Sequence, residues 1–155
     1  MNEATKHDIT ISRSFDAPRE LVYRAFVDPD QLCEWYGPAG FYVPCETVQT
    51  DARPGGFQRF VMTNVEDPDS RYQVDVTFSE VVENELLAGH QDVERIGGAR
   101  PAARSRFRLE FLEEANGTTR LELRQGPYTE EVGQDAKARW ESSFTNLDSL
   151  LRRSL

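Results

Sequence analysis

The C-terminal segment constrains the fold most, because there the period of the hydrophobic pattern changes from two residues to 3.6. From Thr129 onward, apolar residues recur at the spacing of one face of a helix. A helix over this segment would have about 24 residues and a length of roughly 36 Å. Its apolar stripe consists of Val132, Ala136, Trp140, Phe144, Leu147 and Leu151. A long helix with one apolar stripe needs a second apolar surface to cover.

The preceding part of the chain, from Tyr42 to Gln125, predicts that second surface. Apolar and polar residues alternate there, as in antiparallel strands that bury one face of a sheet. The pattern predicts six strands, over 43–51, 56–64, 71–82, 85–94, 103–113 and 118–125. Turn signals separate them, and Asn116-Gly117 is the strongest because both residues tolerate positive φ.

The N-terminal part predicts one more strand and two short helices. "HDITISRSF" alternates in the same way and predicts the first strand. The first helix begins near Asp16 or Ala17, with Pro18 in its first turn. Asp28 is placed to cap the second, which Gly37-Pro38 ends. The prediction is an α+β fold in one domain, 1–155, with a flexible start over 1–7. A seven-stranded antiparallel sheet wraps around the C-terminal helix.

Charge argues against nucleic acid as a partner. The chain has 18 Lys and Arg against 27 Asp and Glu, a net charge of −9, which repels phosphate backbones and anionic membranes. The most basic stretch contains Arg100, Arg104, Arg106 and Arg108. Arg104, Arg106 and Arg108 alternate on the polar face with Arg120 and Arg124 beside them, and we expect cross-strand pairs with Glu110 and Glu122. No apolar run approaches the roughly 18 residues of a membrane span.

Two cysteines, Cys33 and Cys45, fit neither a CxxC motif nor a zinc spacing. With no export signal at the N-terminus, we expect a cytoplasmic protein whose two thiols are free. Metal-ligand spacings, nucleotide-binding glycine motifs and the common nucleophile motifs are missing from the sequence. We therefore predict no metal, no cofactor and no catalytic residue, and regard enzymatic activity as less expected than binding.

Four stretches carry a resemblance to a known family. They are "FDAPRELVYRAFVDPDQLCEWYGP" (15–38), "DARPGGFQRFVM" (51–62), "NGTTRLEL" (116–123) and "ARWESSFTNLDSLL" (138–151). Through them the chain resembles the activator of heat-shock-protein-90 ATPase homologue family, a branch of the START-like (SRPBCC) superfamily. The resemblance runs from about Ile9 to Leu151 and implies the helix-grip fold, also seen in the birch-pollen allergen.

Two departures from the family pattern bear on function. Family members often have Gly before the C-terminal Trp, where this chain has Arg139. Eukaryotic co-chaperones of this name have a separate N-terminal domain that binds the chaperone, whereas here only about eight residues precede the first strand. That difference argues against chaperone activation.

A sheet curved around one helix encloses a space, and enclosed spaces are where ligands bind. We predict a small, largely apolar ligand there, without obvious catalysis. The stretch "CEWYGPAGF" is expected to close one end, with Gly37 and Gly40 providing the bends. The predicted ligand-binding residues are Arg13, Trp35, Tyr36, Phe41, Tyr72, Phe78, His90, Phe107, Trp140 and Phe144. For each aromatic residue, a place in the core is the competing interpretation.

The polar members of this set have competing interpretations too. Arg13 could meet a ligand carboxylate or pair with Glu46 or Asp51. His90 could act as a general base or lie half-exposed on the sheet.

Two other functions stay open at this stage. One is an interaction protein that binds a chaperone or acts in a stress response. The other is a cyclase-like or hydratase-like enzyme with Tyr72 or His90 as acid or base. Homodimerisation through an edge strand is also left open.

Overall fold

Eight antiparallel strands form one sheet within residues 5–98 and 103–153, the parts described by the computed structural model. The strands are β1 His7–Phe15, β2 Phe41–Tyr42, β3 Gln49–Asp51, β4 Phe57–Asn64, β5 Arg71–Val82, β6 Leu86–Arg95, β7 Ala103–Glu113 and β8 Thr119–Tyr128. Their order is β1-β8-β7-β6-β5-β4-β2, and β3 also pairs with β4. Arg100 of the basic stretch and residues 1–4 of the start predicted to be flexible lie outside the described residues.

Three helices accompany the sheet in the described residues: α1 Arg19–Val27, α2 Pro29–Trp35 and α3 Glu130–Arg153. The Asp28 carboxylate accepts the backbone N–H of Asp30 at 3.0 Å and caps α2. Helix α3 has 24 residues and packs against β1 and β8, and it also contacts α1 and α2. The predicted helix-grip fold is thus confirmed. None of these helices has the length and apolar character that crossing a membrane requires.

Of the strand predicted over 43–51, only 49–51 is a strand, and another short strand lies just before it at Phe41–Tyr42. Strands β2 and β3 are separated by a short 3-10 helix, Cys45–Thr47. Pro44 precedes it, and proline cannot donate to a strand ladder. The Thr47 hydroxyl donates to the Pro44 carbonyl at 2.7 Å and closes the turn. Both short strands pair with β4, so the sheet gains one strand over the prediction.

The prediction of two free thiols is wrong, because Cys33 and Cys45 form a disulfide. Cys33 lies on α2 and Cys45 begins the 3-10 helix, and their Cα atoms are 5.1 Å apart. That separation is within the range a disulfide spans. The pair has no recognisable sequence spacing because the packing of α2 on this turn brings the residues together. Disulfides are uncommon in the reducing cytoplasm, so this one counts against the cytoplasmic location expected from the sequence.

A bulge in β5 bends the sheet around α3. The pairing with β6 shifts register between Phe78 and Glu80, opposite Gly89. A Cβ atom on Gly89 would overlap the backbone carbonyl oxygen of Thr77. Only glycine allows two strands to approach this closely, and a bulge of this kind increases the local bend of a strand.

Trp35 anchors the two short helices to the core. Its side chain is 1% exposed, and its indole N–H donates to the Ala25 carbonyl of α1 at 2.8 Å. The ring meets Phe26 edge-on, with a centroid distance of 4.8 Å, and lies 6.4 Å from the ring of Phe144 on α3. One indole therefore joins all three helices.

Replacing Cys45 with serine should lower the melting temperature. The disulfide closes a short loop between residues 12 apart in sequence, and loops of this order contribute roughly 3 kcal/mol by constraining the unfolded chain. For a domain of this size that corresponds to a loss of roughly 6–12 °C in a thermal melt. A reducing agent should produce a similar loss in the wild type and none in Cys33→Ser/Cys45→Ser. If the reducing agent left the wild-type melting temperature unchanged, the assignment of a Cys33–Cys45 disulfide would be contradicted.

Candidate functional site

A cavity of about 220 Å³ lies between the N-terminal half of α3 and the inner face of the sheet. Its described lining consists of Tyr36, Pro38, Met62, Val74, Gln91, Val93, Ala103, Arg104, Ser105, Gln125, Tyr128, Val132, Ala136, Arg139, Trp140 and Ser143. A deeper space of about 40 Å³ shares three of these walls, Tyr36, Gln91 and Trp140. The deep space has room for little more than a water molecule, so most of the open volume is near the mouth, the end of the cavity that opens to solvent.

The position of α3 explains this volume. The helix lies along β1, where Gly133 approaches so closely that an added Cβ would be 3.1 Å from Ile9 Cγ2. Strands β4 to β7 curl around from the other side and contribute the opposite wall. Because α3 packs against β1 at one edge of the sheet, the open volume remains between the helix and strands β4 to β7.

Two residues of the stretch "CEWYGPAGF", Tyr36 and Pro38, line the cavity. Gly37 and Gly40 have φ of +118° and +91°, where residues with a Cβ atom are strained. The Ala39 N–H donates to Ser142 Oγ at 3.0 Å. The Asn146 side-chain amide donates to the Trp35 and Gly37 carbonyls at 3.4 and 3.3 Å. This loop is therefore fastened to α3 by polar contacts.

A chain of hydrogen bonds runs along the cavity wall. The Trp140 indole N–H donates to Gln125 Oε1 at 2.6 Å, and Gln125 Nε2 donates to Ser105 Oγ at 3.0 Å. Ser105 also faces the phenol of Tyr128, where its hydroxyl acts to lower the pKa of that phenol. Gln125 and Ser105 are 2% and 5% exposed, so this polar chain is buried and satisfied.

Burial raises the pKa of two phenols in the lining, Tyr36 and Tyr128. Loss of hydration disfavours the charged phenolate and is the largest cause at both positions. The positive charge of Arg139 acts in the opposite direction on both pKa values. Arg139 is exposed on α3 at the mouth of the cavity. The positive charge of this one guanidinium therefore acts on both phenols.

The chain matches one protein-family model over most of its length. The family model described as Activator of Hsp90 ATPase homolog 1-like protein matches residues 16–152. The chain belongs to this family. The resemblance inferred from four sequence stretches is thereby confirmed.

Solved structures of the same fold include the AHSA1 protein of Silicibacter pomeroyi, with a TM-score of 0.80 and 24% identity over 96% of this chain and 100% of that one. A protein of Chromobacterium violaceum has a TM-score of 0.77 and 23% identity, covering 93% and 96%. At these identities the likeness establishes the fold. No curated protein matches the chain.

The structure distributes the predicted site residues over several places. Tyr36 and Trp140 line the cavity, and with Phe78 and Phe107 they line the deeper space. Trp35 and Phe144 are each 1% exposed and belong to the core. Phe41 and Tyr72 face each other, with ring centroids 5.9 Å apart, outside the described lining of either space.

The two charged or titratable candidates lie elsewhere. His90 is exposed on the outer face of the sheet, so its predicted place in the cavity is wrong. The alternation of β6 puts its neighbours Gly89 and Gln91 on the inner side and His90 outside. Arg13 is half-buried on β1, with its guanidinium carbon 5.5 Å from the Phe15 ring centre. No ion pair joins it to Glu46 or Asp51 in the described residues, so the predicted pairing is also wrong.

Sequence reasoning missed most of the polar lining. Ser105 is in phase with Phe107 and Leu109, and Gln125 is in phase with Leu121 and Leu123. A polar residue on the apolar face of a predicted strand is the signal that could have found both. Arg139 was noticed as a departure from the family pattern, but its position at a cavity mouth depends on the packing of α3.

Replacing Gln125 with leucine should destabilise the protein. The Trp140 N–H and the Ser105 hydroxyl would lose a buried partner, which costs about 1–3 kcal/mol of unfolding free energy. The matched control is Gln73→Leu, because the half-buried Gln73 amide has only long contacts, at 3.5 and 3.4 Å. Urea unfolding should place the control within about 0.5 kcal/mol of the wild type. Equal stability of the two variants would show that the buried chain contributes nothing.

The free energy of unfolding should also fall above about pH 10, where tyrosine side chains with an ordinary pKa ionise. The folded pKa values of Tyr36 and Tyr128 are raised, so the unfolded chain loses its phenol protons first as the pH increases. Below that pH neither phenol affects the pH dependence. Melting temperatures measured across alkaline pH should fall less steeply in Tyr36→Phe/Tyr128→Phe than in the wild type, with Tyr42→Phe as the exposed control. Parallel curves for the wild type and the double variant would contradict the burial effect.

Proposed function

We propose that this chain binds a small, largely apolar molecule in the cavity between α3 and the sheet, without transforming it. The observation that carries the proposal is the cavity itself, about 220 Å³ with a mainly apolar wall and a few converging polar groups. An apolar cavity of about 150 Å³ is enough to bind benzene, and drug-sized ligands need about 300 Å³ or more. The volume therefore suits a compact molecule of one or two fused rings.

The lining argues against acid–base catalysis. Among its described residues there is no His, Asp or Glu, the side chains that usually transfer protons near neutral pH. Its phenols have raised pKa values and stay protonated at neutral pH. Tyr72 and His90, the residues considered for a cyclase or hydratase, lie outside the described lining. The described lining therefore offers the enzyme alternative no side chain that usually exchanges protons near neutral pH.

The exposed apolar side chains of the described residues do not favour a chaperone-binding function. The exposed large apolar side chains among the described residues are Tyr42, Val65, Val82, Ile96 and Val132. They lie on five different elements or loops, and Val132 belongs to the cavity mouth. Cytoplasmic location and dimerisation stay predictions from the sequence.

Filling the cavity tests the proposed function. Val93→Trp adds an indole from β6 into the cavity, whereas Val82→Trp makes the same exchange on β5 away from it. Naphthamide, an uncharged two-ring compound, should raise the melting temperature of the wild type and of Val82→Trp, since a ligand of the native state stabilises it. Val93→Trp should fold and show no shift. A shift of equal size in both variants would place binding elsewhere.

A further inference from the structure

The hydrogen-bond chain along the cavity wall has a direction. An indole N–H can only donate, so Trp140 fixes the Gln125 amide with its oxygen toward the indole and its nitrogen toward Ser105. Ser105 Oγ accepts that bond, and its hydroxyl faces the phenol of Tyr128, whose pKa it acts to lower. In the described residues the Tyr128 O–H donates to no acceptor, so it is available to a ligand. The hydrogen-bond donor left available at this end of the wall is therefore the Tyr128 hydroxyl.

Tyr36 adds a second free donor. Its ring packs edge-on against Phe60 and Trp140, with centroid distances of 4.6 and 5.7 Å, and its side chain lines the cavity. Within residues 5–98 and 103–153, no hydrogen-bond partner contacts its hydroxyl. A phenol with a raised pKa keeps its proton and offers it to whatever occupies the cavity.

The two arginines of the lining differ in availability. Arg104 donates through Nε and a terminal nitrogen to both carboxylate oxygens of Asp92, at 2.8 and 3.0 Å, so its charge is already paired. Arg139 forms no ion pair with a carboxylate in the described residues. It is therefore the available cation at the mouth.

The cavity lining is positively charged, whereas the full chain has a net negative charge. The full sequence has 27 Asp and Glu and a net charge of −9, yet none of the described lining residues is acidic. Two phenol donors and one unpaired guanidinium thus face a space whose described wall offers no anion in return. Unpaired donors next to a cation are the pattern that recognises an anion.

We propose that the cavity selects molecules whose apolar body ends in an anionic group such as a carboxylate, bound at the mouth by Arg139 and by the phenols of Tyr36 and Tyr128. This inference rests on the proposed ligand-binding function and narrows its ligand class. The apolar body lies against Met62, Val74 and Val93 on the sheet side. The anion stays near solvent, where its hydration is lost only in part.

Naphthoate and naphthamide separate the two proposals, because they share one ring system and differ in charge. Titrations are followed by calorimetry and by the NMR signal of the Trp140 indole N–H, which lies in the cavity wall. We expect wild-type protein to bind naphthoate about tenfold more tightly than naphthamide, a preference that weakens as salt screens the charge. In Arg139→Gln the two compounds should bind equally, at the wild-type affinity for naphthamide.

The control variant is Lys137→Gln, which removes one positive charge from the same helix outside the described lining. It should keep the preference for naphthoate. Arg139 is exposed, so its substitution is not expected to unfold the protein. Equal binding of both compounds by the wild type would overturn the anion site and leave the ligand-binding function intact. Binding of neither compound would overturn both.

Discussion

The apolar stripe of α3 can be buried only against the inner face of the sheet, and the rest of the structure follows from how that packing is achieved. The helix approaches β1 most closely at Gly133, where a side chain would meet Ile9. Farther along, Phe144 and Leu147 are 1% and 0% exposed and complete the contact with the core. Side chains in such a core pack at the density of organic crystals, so the C-terminal half of α3 leaves no usable space.

The first turns of α3 behave differently because the residues that face the sheet there are small. Gly133 and Ala136 are small, and Val132 is 47% exposed. The sheet opposite has been bent by the β5 bulge beside Gly89. A curved wall and a helix face of small residues cannot fill the volume between them. The cavity is thus a consequence of the same packing that makes the other end of the helix a solid core.

In the buried hydrogen-bond chain of the cavity wall, the oxygens of Gln125 and Ser105 each accept from a donor of the wall. Trp140 can only donate, and each later member of the chain accepts from the one before it. The unpaired donors accumulate at Tyr128 and Tyr36, beside the charge of Arg139. An occupant that covered these donors without accepting from them would leave them unpaired, so an occupant that accepts hydrogen bonds would be favoured over one that donates them.

Much of the fold was predictable because it depends on local periodicity. The 3.6-residue spacing after Thr129 and the alternation in β5 report which face of each element is buried, and Asn116-Gly117 reports a turn by its backbone preference. The outcome for the site was mixed, because aromatic residues suit a core and a pocket wall equally. Trp35 and Phe144 are in the core, whereas Tyr36 and Trp140 line the cavity.

The amino-acid sequence by itself determined the helix-grip architecture, since hydrophobic spacing and turn residues act over a few neighbouring positions. Only the tertiary structure decided that Cys33 meets Cys45 and that Arg139 lies at the mouth of a cavity. These outcomes depend on the packing of α2 against a turn and on the angle between α3 and a bent sheet. Each involves residues far apart in the chain, and no local pattern records their distance.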